Sequence, residues 1–564
     1  MTAPSGGVTA GTPPNRRGFL GLVGAGALVA AAGGITGCAA KKELPKGTAV
    51  AADKLKALVP NRVPFNVPGV TPDLPGAEFV DPGFLSRPAS FAQAVTERPI
   101  TSGKEITAMT PLWGKVPPGL GHNSYYDAVN QRLGGVVRFS IQDGMTYADK
   151  LNAVLTSGDV PDMICVPGWE AVKIAHFTEA ANKLFADLSP YLAGDKAKAY
   201  PLLAAYDTAA WEYGVYGGVL QGIPWQNSPY PFLTLARKDI LDELGLPLPA
   251  SADDLLTMGK TLTDPKKKRW ALGFGTVLGS QEIQRAFGSP REWRKQSDGT
   301  LIYKYETPEF EQHIEFMTKL FAAGLIHPDI VANKDANPKE PFGSGQVVIY
   351  PDGPGAWHEL YGTYLPDNPR LQIAGVDPFP AHAGGKTIVW RNEPAGMFCF
   401  VKKGLPDDRM REILGVANWC SAPFGTIEGD LVFNGVEGKH YTVKDGQMLR
   451  TALGEKEAQP TYMFLSGRPG FTAESQYPGY VQAMHGWQTK ASTFLENDPF
   501  VGIRVEVPSK MAGLVTPTED KMHEIFRGKR PLSEWKRIVK DWQEQGGDEA
   551  REFYMKTAKD NGRL

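Results

Sequence analysis

From Glu105 onward, apolar positions alternate between two periods. Ile106-Thr107-Ala108-Met109 reads as a strand, and the spacing from Tyr125 to Leu133 reads as a helix. Val136-Val137-Arg138-Phe139-Ser140-Ile141 predicts a second strand. Thr146, with Asp149 three residues on, predicts a capped helix that turns Leu151, Val154 and Leu155 inward and stops at Gly158. A third strand follows at Asp162 to Val166. Strand and helix in strict alternation predict a parallel sheet covered by helices. Further on, Thr307 caps a helix with Pro308 in its first turn and Glu309 and Glu311 at the positive end of its dipole. Phe310, Ile314, Met317 and Phe321 share one face of that helix, which Gly324 ends. Near the carboxyl terminus Trp535, Ile538, Val539 and Trp542 repeat at helical spacing, which assigns those two rings to a core. No internal repeat is apparent.

The first hundred residues carry a different pattern. Asn15-Arg16-Arg17-Gly18-Phe19-Leu20 opens an apolar run ending at Ile35-Thr36-Gly37-Cys38. The arginine pair reads as a twin-arginine export address, and the Gly- and Ala-rich run is too short for a stable spanning helix. Its last four residues resemble the lipobox of bacterial lipoproteins. That resemblance implies a signal peptide at 1–37, lipidation of Cys38, and a mature protein held to the extracellular face of the cell membrane. Residues 39–103 are dense in Pro, Ala and Gly with weak periodicity, and read, with the lipidated residue, as a spacer over 38–103.

Composition narrows the function classes. At 564 residues, 42% apolar and 22% charged, the chain suits a soluble globular protein of two or more domains. The net charge of -2 becomes -4 once Arg16 and Arg17 leave with the leader, and no basic stretch is interleaved with aromatics. A nucleic-acid partner is therefore not expected. Cys165 and Cys399 sit in strand-like apolar runs and read as small buried hydrophobes. With Cys420 they show no CxxC spacing, and a disulfide among the three stays open.

Catalytic signatures fail on inspection. Gly259-Lys260-Thr261 and Gly385-Lys386-Thr387 lack the earlier glycine of a phosphate loop, having Asp254 and Pro380 in that place. His358-Glu359 and His523-Glu524 lack the second histidine of a zinc-protease helix, and no Gly-x-Ser-x-Gly elbow occurs. No pair of carboxylates stands out for glycosidase chemistry. The expectation is a protein that is not an enzyme, with no catalytic residues, no metal and no cofactor.

A run of collinear segments points to a family. They include Leu155-Thr156-Ser157-Gly158-Asp159-Val160-Pro161-Asp162, Phe185-Ala186-Asp187-Leu188-Ser189-Pro190-Tyr191-Leu192 and Ala236-Arg237-Lys238-Asp239-Ile240-Leu241-Asp242-Glu243-Leu244-Gly245-Leu246. Others are Ala323-Gly324-Leu325-Ile326-His327-Pro328-Asp329 and Asn434-Gly435-Val436-Glu437-Gly438-Lys439-His440-Tyr441. From about Lys104 to Leu564 the chain resembles the extracellular solute-binding proteins of ABC importers, of the long sugar-binding lipoprotein (LplA) type. The resemblance implies an α/β fold of two lobes, the type II fold of periplasmic binding proteins, with a ligand cleft between them and ABC permease subunits as partners. Crossings between lobes are expected near Gly222–Leu235, Lys386–Val401 and Ala452–Phe464. Lobe one would then be 104–225 plus 395–455, and lobe two 230–385 plus 460–564. Some relatives carry a structural calcium ion, but no Asp-x-Asp-x-Asp-Gly loop is present, and none is expected here.

A carbohydrate ligand, an oligosaccharide above all, offers apolar C–H faces and a rim of hydroxyls, so rings beside polar groups in loops are the candidate contacts. Trp113 follows the first strand and Trp169 the third, at carboxyl ends where open α/β sheets bind ligands. Trp225 and Asn227 lie at the first expected crossing, and Trp390, Arg391 and Glu393 at the second. Asp352-Gly353-Pro354-Gly355-Ala356-Trp357 resembles the maltodextrin-binding segment in which an aromatic residue after Gly-Pro stacks on sugar, which makes Asp352 and Trp357 candidates. Here Gly355 stands where that relative carries a first tryptophan. Two other readings remain open: a secreted lipoprotein enzyme acting on polysaccharide, and a surface module that senses ligand without transport.

Overall fold

The computed structural model describes residue 50 and residues 52–564 apart from 175, 274–277, 333–338, 445, 478, 506, 508–510 and 512. Arg16, Arg17, the apolar leader and Cys38 lie outside the described residues.

The Pro- and Gly-rich stretch read as a spacer is packed against the body from Ala52 onward. Helix α1 (Ala52–Leu58) buries Leu55, and Val59 follows it into the same core. Isolated backbone bridges then pin Pro60 to Gly194, Gly83 to Thr472 and Ala92 to Thr426. Val80, Phe84 and Ile100 are buried one at a time. Irregular spacing of these anchors leaves no period for sequence reading to detect, although each fills a hole in a neighbour.

The alternating pattern builds the first lobe. Strand β1 (Ile106–Leu112) is followed by α2 (Ser124–Leu133), β2 (Val137–Asp143), α3 (Tyr147–Ser157), β3 (Met163–Pro167) and the short α4 (Gly168–Ala171). Asn123 caps α2 by accepting from Tyr125 N (3.0 Å) and Tyr126 N (3.1 Å), and Gly134 at φ 82° ends it. At α3 the expected Thr146 cap is not made. The Asp143 carboxylate, a stronger acceptor, takes Met145 N (2.8 Å) and Thr146 N (3.2 Å) instead.

The chain continues through β4 (Gly222–Gln226) into β5 (Leu233–Arg237), β6 (Trp270–Leu272), α5 (Pro308–Ala322), β7 (Val347–Asp352), α6 (Ala356–Tyr364) and β8 (Ile373–Val376). It returns as β9 (Ala395–Val401), then α7 (Asp407–Cys420), α8 (Ile427–Asn434), α9 (Tyr480–Ser492) and α10 (Trp535–Trp542). Thr307 caps α5 as its sequence predicts, accepting from Phe310 N at 3.3 Å. The two largest sheets among the described residues are separate, ordered β2-β1-β3-β9-β4 and β8-β5-β7-β6. In the first, β1, β2 and β3 are parallel and β9 runs antiparallel between β3 and β4.

Period-two alternation sends successive side chains of β3 to opposite faces of the first sheet, and each sheet has a core on both faces. Met163 joins one core of the first lobe with Ile106 and Leu414, while Ile164 and Val166 join the other with Leu151 and Phe398. In the second lobe Ile349 packs with Ile314, Met317, Trp535 and Trp542, and Val347 and Tyr350 pack with Trp357 and Trp487. Cys165, Cys399 and Cys420 are free, buried thiols.

Residues 227–232 make the first passage between the sheets and 391–394 the second. The third passage differs from the expected Ala452–Phe464. Tyr462 is held in the first lobe by a 2.9 Å bond from its hydroxyl to Asn130 Oδ1 and by Tyr125, Tyr126 and Phe139 around its ring. Leu465 is buried beside it, and the next core residue, Tyr480, belongs to the second lobe. The passage therefore occupies 466–479.

Candidate functional site

Both sheets present one end of their strands to the interlobe side, because β4 leaves the first sheet there and β5 enters the second there. The carboxyl ends of β1 and β3 lie at that end of the first sheet, and the carboxyl end of β7, where Asp352 pairs with Leu233, lies at that end of the second. Whatever follows those strands faces the cleft.

Three of the expected tryptophans meet there. Trp113 and Trp169 are 45% and 47% exposed, among the most exposed large apolar side chains described. Their ring centroids are 5.9 Å apart at 44°. Phe464 stands behind them, 6.1 Å from Trp113 and 5.2 Å from the half-buried Trp225. Four aromatic residues from four segments thus form one shelf. Leaving two indoles in water is unfavourable unless something apolar covers them in use, which makes the shelf a candidate contact surface.

Gly144 seats the outer ring. A Cβ at this position would come within 2.4 Å of Trp113 Nε1, so the indole lies directly against the turn after β2. The φ of Gly144 is outside the left-handed region, so an alanine is excluded by the ring and not by its own backbone. Gly144→Ala is expected to lift Trp113 off the turn, seen as an altered near-UV circular dichroism signal, at a stability cost of about 1 kcal/mol. An unchanged signal would show that the ring is not seated there.

The other expected residues take different places. Asn227 ties the first two passages together: its backbone N–H reaches Pro394 O (3.0 Å) and its Nδ2 donates to Glu393 O (3.0 Å). Glu393 pairs with Arg291 at 3.0 Å. Arg391 lies over the ring of Phe79, 4.7 Å from its centroid. Asp352 accepts from Tyr350 Oη (2.9 Å) and Gly353 N (2.7 Å), and burial raises its pKa against the pull of Lys339. The two remaining rings are given to packing. Trp357 is 2% exposed, edge-on to Tyr480 in the core of the second lobe, and Gly375 leaves room for it. Trp390 is 5% exposed, with Nε1 donating to Ser289 O at 3.1 Å. Both rings were expected at the ligand, but the helix and strand that carry them turn them inward.

Sequence reading also missed a cavity of about 380 Å³. Its walls come from the first lobe (Asp430, Phe433, Met463), from the third passage (Arg468, Phe471, Tyr477) and from α6 of the second lobe (His358, Glu359). The segment Arg468-Pro469-Gly470-Phe471 carried a usable signal, a cation and a ring beside turn residues, but lacks the tryptophan used as the marker. Gln459 links cavity and shelf: it lines the cavity, and its Oε1 lies 4.0 Å from where a Cβ of Gly114 would stand. Among the described residues, no group of three or more His, Cys, Asp or Glu side chains is placed to hold a metal ion.

Residues 128–399 match the pattern of the bacterial extracellular solute-binding protein family. Lipoprotein LipO of Bacillus subtilis is 24% identical over 374 residues, 64% of this chain and 72% of that one. The polygalacturonan/rhamnogalacturonan-binding protein YtcQ of the same organism is 26% identical over 52% of this chain and 58% of its own. In fold, the chain is similar to the N-glycan transport solute-binding protein NgtS of Streptococcus pneumoniae, with a TM-score of 0.59 at 14% identity, covering 81% of this chain and 99% of that one. With two α/β lobes joined by three passages, the chain belongs to the bacterial extracellular solute-binding proteins.

Proposed function

We propose that this protein is the lipid-anchored substrate-binding component of an ABC importer, held to the extracellular face of the membrane at Cys38. It closes its lobes on a carbohydrate, an oligosaccharide above all, and hands it unaltered to the permease subunits. The observation that carries this reading is the half-exposed Trp113–Trp169 pair past the carboxyl ends of β1 and β3 in the first sheet. Aromatic faces suit the C–H faces of sugar rings, and the nearby polar side chains suit their hydroxyls. Relatives named for polygalacturonan and N-glycan agree with the class. Among the described residues no helix is long and apolar enough to cross a membrane, so attachment rests on the lipidation signal at Cys38.

The test is a thermal-shift screen against neutral and acidic oligosaccharides, with the recovered glycans analysed for cleavage. A ligand present at a hundred times its Kd stabilises the bound form by about 2.7 kcal/mol, so binding will register as a raised melting temperature. Intact glycan with a raised Tm is the expected result. A shift produced only by peptides or metals, or glycan returned in fragments, would overturn the reading.

A further inference from the structure

The cavity between the lobes contains one cation whose charge is unanswered. Arg468 lies with its guanidinium carbon 3.3 Å from the centroid of Phe433 and 4.0 Å from that of Phe471. These contacts hold the guanidinium in the corner of two rings set at 89° to one another. Nη1 is buried without a hydrogen-bond partner, and among the described residues the side chain makes no ion pair. The acids around it are engaged elsewhere. Asp430 takes Arg87 in a two-pronged pair at 2.8 Å and also accepts from Tyr441 Oη; Glu359 is paired with Lys339; Glu455 lies 4.0 Å from Arg450. Glu474 accepts from Ala473 N, and with Asp81 it acts on Arg468 only through its field. Burial lowers the Arg468 pKa to about 9, which marks how poorly its charge is solvated.

A buried guanidinium nitrogen without an acceptor carries a standing desolvation penalty, and a carboxylate relieves it best because its two oxygens match the guanidinium fork. Neutral hydroxyls relieve it less. The wall contributed by α6 means that an occupant here touches both lobes, and so favours the closed form. We propose that this cavity binds a carboxylate-bearing sugar of the uronic-acid class, with Arg468 as the partner of its carboxylate. This inference rests on the carbohydrate reading above and specifies its ligand.

The experiment is calorimetric titration of the whole mature chain with tetramers of galacturonate, mannuronate and glucuronate, each beside its carboxyl-reduced counterpart. At least one acidic tetramer is expected to bind tenfold or more tightly than its reduced form. Arg468→Gln should erase that difference, weakening the acidic tetramer far more than its reduced form. Arg468→Lys, which keeps the charge but not the stacked fork, should retain part of it, and its melting temperature controls for folding if the glutamine variant is unstable. Equal affinity for acidic and reduced tetramers would overturn this inference and leave the carbohydrate reading intact. A preference that survives Arg468→Gln would overturn the role of Arg468. No binding by any tetramer would overturn this inference and leave the carbohydrate reading to the wider glycan screen.

Discussion

Replacing Trp113 and Trp169 together with alanine is expected to weaken oligosaccharide binding at least a hundredfold while leaving the fold in place. Each ring is about half exposed, so truncation removes little core and the stability cost should stay within about 1 kcal/mol. The binding cost is larger because a central aromatic contact carries a disproportionate share of the energy of an interface. Tenfold in affinity corresponds to about 1.4 kcal/mol, and each single variant is expected to lose at least that much. The two losses should not add simply, since the rings touch and truncating one frees the other to move. Trp225→Ala provides the contrast. This ring is half buried on Phe464, so its loss should lower stability as well as affinity. Calorimetry for binding and urea unfolding for stability separate the two effects. A double variant whose affinity stays within threefold of the parent would remove the shelf from the site.

Much of this architecture was legible in the chain because period-two and 3.6-residue spacings report which face of an element is buried. The first three strands, the capped helix at Thr307 and the core role of Trp535 and Trp542 all belong to that class. Trp113 and Trp169 were legible for a related reason, since a ring just past a strand end cannot enter the sheet core. Trp357 and Trp390 looked alike in sequence, each beside Gly, Pro or polar residues, yet both are buried. Their fate was decided by partners distant in sequence: Tyr480 and Gly375 for one, Ser289 for the other. The third passage was misplaced for the same reason, because Tyr462 is fixed by Asn130, more than three hundred residues earlier. The strap over 52–103 and the Arg468 cavity are built from single anchors meeting across the fold, and such meetings leave no periodic trace.

That strap supplies the second large effect, at Glu412 on α7. Its Oε1 accepts from Thr101 N (2.8 Å), Thr101 Oγ1 (3.0 Å) and Ser102 N (2.6 Å), while its Oε2 takes Ser102 Oγ (2.9 Å) and Arg409 Nη1 (3.2 Å). Arg409 also pairs with Asp162 at 3.2 Å, so the same cluster joins α7 to the start of β3. Burial pushes the Glu412 carboxyl up, but the bonds from Ser102 and Thr101 outweigh it and hold the pKa down to about 2. Glu412→Ala leaves these donors and a nearly buried Arg409 unanswered, and is expected to cost about 3 kcal/mol at neutral pH. Glu412→Gln, which can still accept but carries no charge, should lose about half of that. The folded-state pKa is depressed, so the charge-dependent part is fully present above the ordinary glutamate pKa of 4.5 and is lost as pH falls toward 2. Urea midpoints of parent and Gln variant should therefore be well separated at pH 7, draw together below pH 4.5 and converge only as pH falls to about 2. Trypsin should also cut the Ala variant faster at Lys104, which lies between the anchored Ser102 and β1. Midpoints that stay equally separated at every pH would mean that shape, not charge, holds the strap to the body.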